Sequence, residues 1–223
     1  MSFSQEQLSR ILPLWDRMLN HRFLLSVRDG TVAEGVFAWW LPQAYLFVEA
    51  AIPFIAELIA KGPSRHWQAF TAAIARLEED LRLFEDQALA VGLDLRGESP
   101  AFANHAYIQY LMATGHRASY AESYTVLYAA EKAYHDCWAM VMRGIDPGSK
   151  WYPFVKNWAG EAVAEHVAYL ERELDALAGN SGLAERVRMN EHFELTVKHV
   201  IAFWEMAATG EDWPGLGEPE AED

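Results

Sequence analysis

The 223-residue sequence holds a single cysteine, Cys137, so no intramolecular disulfide can form, and its opening Met1-Ser2-Phe3-Ser4-Gln5-Glu6 has neither a basic start nor an apolar signal segment. Both absences fit a reducing cytoplasm. Positive charge is scarce as well: 18 Lys and Arg stand against 32 Asp and Glu, a net of -14. Nucleic acids and anionic membranes reward a basic footprint through counterion release, so neither is an expected partner. Period-two runs rich in Val, Ile and Thr are missing, which argues against strands. No G-x-S-x-G, phosphate-binding glycine loop or H-E-x-x-H occurs, which leaves the serine-hydrolase, kinase and zincin classes without support. The longest apolar run, residues 35–60, is interrupted by Gln43, Glu49 and Glu57, and Pro42 and Pro53 would open backbone groups that lipid cannot satisfy. It reads as a buried core helix, not a membrane span.

What is present is a long, 52% hydrophobic chain, enough for one large core, with no linker or repeat to divide it. Residues 1–210 are expected to form a single all-helical domain. Residues 211–223 hold Glu211, Asp212, Glu218, Glu220, Glu222 and Asp223 with no Lys or Arg, and read as an acidic, disordered tail. Between Gly and Pro punctuation, apolar residues recur at spacings of three and four, the pattern of an α-helical bundle with short connections. Capping boxes are expected at Ser4-x-x-Gln7, Thr31-x-x-Glu34 and Ser119-x-x-Glu122. A bend is expected at Pro13, a cap at Ser64, a break at Gly160, and Pro100 in a first helical turn. The acids Glu78, Glu79, Asp80, Glu85 and Asp86 read mainly as a wetted helix flank.

A bundle builds its sites from polar groups that project inward from facing helices. Glu131 stands out, because its neighbours one turn away are Leu127, Tyr128 and Tyr134. A partly desolvated carboxylate there would have its proton affinity raised, fitting it to take a proton from water and return it to an amine leaving group. Equally, Glu131 can be the partner of a Lys or Arg across a helix interface, and spacing alone does not separate the two. Aromatics make up 13% of the chain, and Trp39, Trp40, Tyr45, Phe47, Tyr107, Tyr110, Tyr128, Tyr134 and Trp158 all fall on expected helices. Most belong to the core, and a minority can form a flat slot for a heteroaromatic ring. Glu78, Glu85, Glu131, His135 and His166 are the residues of a weaker alternative, a carboxylate-bridged di-iron site, but no Glu-x-x-His pair supports a metal. Cys137, with acidic Asp136 beside it, is a poor nucleophile candidate.

His21-x-Phe23 through Asp29-Gly30, then Phe37-x-x-Trp40-Leu41-x-Gln43-x-Tyr45-Leu46-Phe47-Val48, and late in the chain Phe203-Trp204-Glu205-Met206-Ala207 occur in this order. On these segments the chain resembles, over almost its whole length, the TenA family of thiamine-salvage hydrolases. It is similar in particular to the TenA-E subgroup, which has a glutamate where thiaminase II has its cysteine: Ala130-Glu131 followed by Tyr134, Asn104-x-Ala106-Tyr107, and Tyr152-Pro153-Phe154-x-x-x-Trp158-Ala159 match that pattern. The resemblance implies a heme-oxygenase-like bundle, a homo-oligomer, and a cofactor-free hydrolase of a pyrimidine fragment of thiamine. In that reading Glu131 is the general acid and base, with Tyr134, Tyr107, Phe47, Trp158 and Ala130 around the ring. Two positions depart from the family: the Asp of its Gln-Asp-Tyr pattern is Ala44, and the Glu three residues before the last Phe-Trp is Val200. These losses imply a roomier, more apolar pocket, with Glu49 or His199 as partial replacements, and open the alternative of a non-catalytic small-molecule-binding protein on the same scaffold.

Overall fold

In the computed structural model, which describes residues 1–95 and 97–214, the chain is a bundle of helices with no strand among the described residues. In order these are α1 (Phe3–Arg10), α2 (Leu12–Leu19), α3 (Arg22–Arg28), α4 (Glu34–Lys61), α5 (Trp67–Ala90), α6 (Phe102–Arg117), α7 (Tyr120–Met142), α8 (Tyr152–Trp158), α9 (Glu161–Asn180) and α10 (Leu183–Thr209), with a 3-10 turn over Ser64–His66. Helix α7 lies at the centre, packed by α10, α9, α8 and α3, while α4 carries α5 and α6 on its flanks.

Local chemistry explains most boundaries. The Ser119 hydroxyl accepts the Glu122 N–H and the Glu122 carboxylate accepts the Ser119 N–H, completing the box expected at the start of α7. Pro13 does more than bend the first helix: it sits in the first turn of α2, where its missing N–H costs nothing, and the chain breaks at Ile11. Gly160 separates α8 from α9 as expected.

Three caps differ from expectation. The box of α1 is built by Ser2 and Gln5, two residues earlier, because Ser4 is wholly buried against Asp175 and Glu171. Thr31 does not cap α4, whose N-cap is Ala33 with no side-chain bond. Ser64 opens a 3-10 turn instead of capping α5 directly, and Pro100 lies two residues before α6 begins.

Helix α4 is, among the described residues, the one helix long and apolar enough to cross a bilayer by length and composition. In the fold it packs on α5 and α6 and buries Phe37, Trp40, Leu41, Phe47, Phe54 and Leu58. Its buried Gln43 amide donates to the Ser99 carbonyl, and its Oε1 accepts the Ala101 N–H at 2.9 Å and the Asn104 Nδ2 at 3.0 Å. One buried amide therefore seats the loop before α6, since leaving its groups unpaired would cost about 1–3 kcal/mol each.

Segments that looked independent in sequence are joined in the same way. His21 caps α3 and pairs through Nε2 with Glu205 at 3.1 Å, and Phe23 stacks on Trp204 with centroids 5.3 Å apart. After α10, Gly210 takes a left-handed φ of 70°, and Trp213 folds back to pack against Phe102 and His105. Of the acidic tail, residues 211–214 are thus placed against α6, and residues 215–223 lie outside the described residues.

Candidate active site

Six helices line a hollow of about 70 Å³, several times the roughly 10–15 Å³ that one buried water needs, with Leu111 the contribution of α6. Helix α4 contributes Phe47, Ala51 and Phe54, α5 contributes Arg76, Leu77 and Asp80, α7 contributes Leu127, Ala130, Glu131, Tyr134 and His135, and Trp158 and Val163 close it from α8 and α9. The walls are mostly apolar. Phe47 and Tyr134 lie nearly parallel with ring centroids 6.3 Å apart, and Trp158 stands edge-on to Tyr134 at 5.4 Å. Flat walls of this kind suit one small aromatic ring.

Of the residues singled out in the sequence, Glu131, Tyr134, Phe47, Trp158 and Ala130 are brought together around this hollow. Tyr107, Ala44 and Val200 are buried in the core and are not among its lining. Tyr107 stands behind Phe47, ring to ring at 4.6 Å, so it supports the wall from the far side. Because Ala44 and Val200 are buried and absent from the lining, the departures at these positions contribute no surface to the hollow. Glu49 is exposed and His199 stacks between Tyr107 and Tyr110, so neither reaches the hollow to replace a lost polar group.

Glu131 stands at the hollow and also has a cation across a helix interface. Its carboxylate lines the hollow, and each of its oxygens is 3.4 Å from Nη2 of Arg76, which reaches across from α5. The pair is mostly covered, with side-chain exposures of 21% for Arg76 and 17% for Glu131. At 3.4 Å the contact lies beyond the usual 2.7–3.2 Å for N–H···O bonds, so it orients the carboxylate without closing the space beside it. The Tyr134 hydroxyl is buried in the same wall without a hydrogen-bond partner, leaving a donor and an acceptor for an occupant.

Asp80 is the residue that sequence reasoning misplaced. Instead of standing on a wetted flank, it is 3% exposed and faces the hollow. Asn157 donates to one oxygen at 2.6 Å and the Trp158 indole to the other at 3.2 Å, so α8 and α5 are tied through this carboxylate. A signal was available: the buried residues Phe70, Ala73, Leu77, Phe84 and Ala88 recur at threes and fours, and position 80 falls within that stripe. Arg76, at the edge of the same stripe, was also overlooked.

Burial raises the Asp80 carboxyl above its ordinary 3.8, and the bonds from Asn157 and Trp158 and the Arg76 charge oppose that rise only in part. Folding then takes up a proton on this group. Its contribution to stability is therefore most favourable below the unfolded value and diminishes as pH climbs through the raised folded one. Replacing Asp80 by Asn removes this titration. Urea unfolding between about pH 4 and 7 is expected to show the stability of the wild type, relative to Asp80→Asn, falling as pH rises. A difference that grows with pH would contradict desolvation as the dominant influence.

His166 lies behind the pair, its Nε2 buried without a partner. Burial holds its pKa down, with Glu131 acting to raise it and Arg76 to lower it. Cys137 is wholly buried, its thiol pKa pushed up by burial, and it is not among the residues lining the hollow. Glu78 and Glu85 are exposed, away from the cavity, so the five residues weighed for a di-iron centre are not assembled. Among the described residues no group of three or more His, Cys, Asp or Glu is placed to hold a metal ion.

With this geometry in hand, comparison with known proteins is informative. Residues 8–210 match the model of the TENA/THI-4/PQQC family. A probable bifunctional TENA-E protein from Glycine max is 27% identical over 206 residues, covering 87% of this chain and 88% of that protein. An aminopyrimidine aminohydrolase from Halalkalibacterium halodurans is 23% identical, covering 96% of this chain and 98% of that protein. Among solved structures, a TenA homologue from Pyrococcus furiosus superposes with a TM-score of 0.89 at 32% identity, over 92% of this chain and 99% of that one. A heme-oxygenase-like protein from Shewanella denitrificans shares the fold alone, with a TM-score of 0.70 at 16% identity over 91% of this chain and 90% of that one. The bundle is thus heme-oxygenase-like, and the chain belongs to the TENA/THI-4/PQQC family.

Proposed function

We propose that this protein is a TenA-E-like hydrolase that cleaves a C–N bond on a pyrimidine fragment of thiamine or its breakdown products. The observation that carries the reading is the placement of the Glu131 carboxylate on the wall of an apolar, aromatic hollow that a buried carboxylate, Asp80, also lines. In this reading a small heteroaromatic ring packs against the wall formed by Phe47, Tyr134 and Trp158, with Asp80 as an acceptor for its ring or exocyclic N–H groups. Glu131 takes a proton from water and delivers it to the departing nitrogen. The names of the soybean and Halalkalibacterium relatives support this substrate class. Hydrolysis of this kind consumes only water, and a net charge of -14 accords with a small-molecule ligand in a cytoplasmic setting instead of nucleic acid or a membrane.

Incubation of the protein with the aminomethylpyrimidine fragment of thiamine, its N-formyl derivative and intact thiamine, followed by product analysis, tests the assignment. Turnover of one or both pyrimidines is the expected result, and inactivity on all three would overturn it. A binding-only member of the fold is the second reading, favoured by the Arg76 guanidinium held against Glu131. Thermal stabilisation by a pyrimidine without any turnover would select it, because ligand at about 100 times its dissociation constant adds about 2.7 kcal/mol.

A further inference from the structure

The polar inventory of the hollow is lopsided. Asp80 and Glu131 are acceptors, His135 is turned through Nδ1 to Asp136, and the Trp158 indole N–H is already given to Asp80. The donors left for an occupant are the Tyr134 hydroxyl and Arg76. Of the guanidinium, only Nη2 is engaged, at 3.4 Å from both Glu131 oxygens. Nη1 and Nε, with three N–H groups between them, meet no protein acceptor among the described residues. Arg76 also lies one helical turn before Asp80 on α5, so cation and buried carboxylate rise side by side from one rigid helix.

A guanidinium with unspent donors beside the Glu131 carboxylate is suited to an oxygen that becomes negative next to the point of attack. We propose that Arg76 receives the carbonyl oxygen of an N-acylaminomethyl substrate in this cavity, and so makes the site selective for amides over the corresponding free amines. The inference rests on the hydrolase reading above and adds to it a catalytic residue and a preference among its substrates.

The chemistry balances with water alone. Glu131 accepts a proton as the water oxygen bonds to the acyl carbon, and the carbonyl π electrons move onto oxygen, where Arg76 faces the new charge. Collapse re-forms the carbonyl, breaks the C–N bond and passes the proton from Glu131 to the leaving nitrogen. The products are one carboxylic acid and one amine. Displacement of a free amine from the methylene carbon develops no such oxyanion, and Arg76 has nothing to stabilise there.

Full-length wild type, Arg76→Gln and Arg76→Lys would be assayed against the N-formyl-aminomethylpyrimidine and the free aminomethylpyrimidine across pH, with thermal melts to confirm folding. For Arg76→Gln, kcat on the formyl substrate is expected to fall on the order of 10²–10³-fold with a much smaller change in KM, and turnover of the free amine, where Arg76 only orients Glu131, to fall by at least about tenfold less. Arg76→Lys keeps a point charge but not the planar fork, and should lie between. An equal loss on both substrates, or a pH profile displaced alike for both, would assign Arg76 to Glu131 as a counter-ion and overturn the proposal. So would wild-type turnover of the amine alone, an outcome that leaves the hydrolase reading standing. Wild-type inactivity on both would remove the two together.

Discussion

Glu131→Gln is expected to lower turnover of the pyrimidine substrate by about 10²–10⁴-fold while leaving the fold intact. Glutamine has the same shape and can still offer an oxygen to Arg76 Nη2, but it cannot shuttle a proton, so the loss reports the acid–base step. The structural cost should be small, because the Arg76 contact is 3.4 Å long and partly exposed on both sides. Steady-state kinetics paired with a urea melt separates the two effects. A variant that melts like the wild type and retains more than about a tenth of its rate would mean that Glu131 carries no proton in the reaction. Glu131→Asp is a useful companion, since it keeps the charge and withdraws the carboxylate by one methylene, where near-attack geometry tolerates little displacement.

The second large effect is on stability. Trp40→Ala is expected to cost about 3–5 kcal/mol, read as a lower urea midpoint at unchanged m-value. Trp40 has no exposed surface, and its ring lies within 6.3 Å, centroid to centroid, of Phe37, Phe84, Trp138, Trp151, Phe154 and Trp158. Removing it leaves a cavity among rigid rings that cannot collapse to fill it. Its indole N–H has no partner, so Trp40→Phe orphans no acceptor and should lose much less. Since Trp158 also donates to Asp80, loosening this box is expected to weaken ligand binding as well as the fold. A loss below about 1 kcal/mol for Trp40→Ala would show that the box repacks freely.

The fold was largely legible because helix formation is governed by short-range rules. Apolar spacing, Ser119 with Glu122 three residues on, and the punctuation at Pro13 and Gly160 act within one or two turns and need no knowledge of the rest of the chain. The missed caps have a tertiary cause in one case: Ser4 has the chemistry of an N-cap, but Asp175 and Glu171 on α9 take its hydrogen bonds, and the helix starts from Ser2 instead. Thr31 had no such competitor, and nothing in the structure explains why it stays outside the cap.

The site was legible in part. Glu131, Ala130 and Tyr134 sit on one helix and could be read together, and Phe47 and Trp158 came from the family resemblance. Asp80 hid among acids of the same type, and only its register in the stripe of α5 distinguishes it from exposed Glu78 and Glu79. Arg76 could not be assigned to Glu131 by sequence, because the two are 55 positions apart and meet only where α5 and α7 bracket the same hollow.

What the chain determined by itself was its helices, their apolar faces and the placing of Glu131 one turn from Leu127, Tyr128 and Tyr134, since each depends on neighbours within a few residues. Which carboxylates share a cavity, which arginine reaches them, and which aromatic rings form walls instead of core were decided only by the packing of helices. Those contacts join residues far apart in sequence, and a change of one turn in register would direct the same side chains elsewhere.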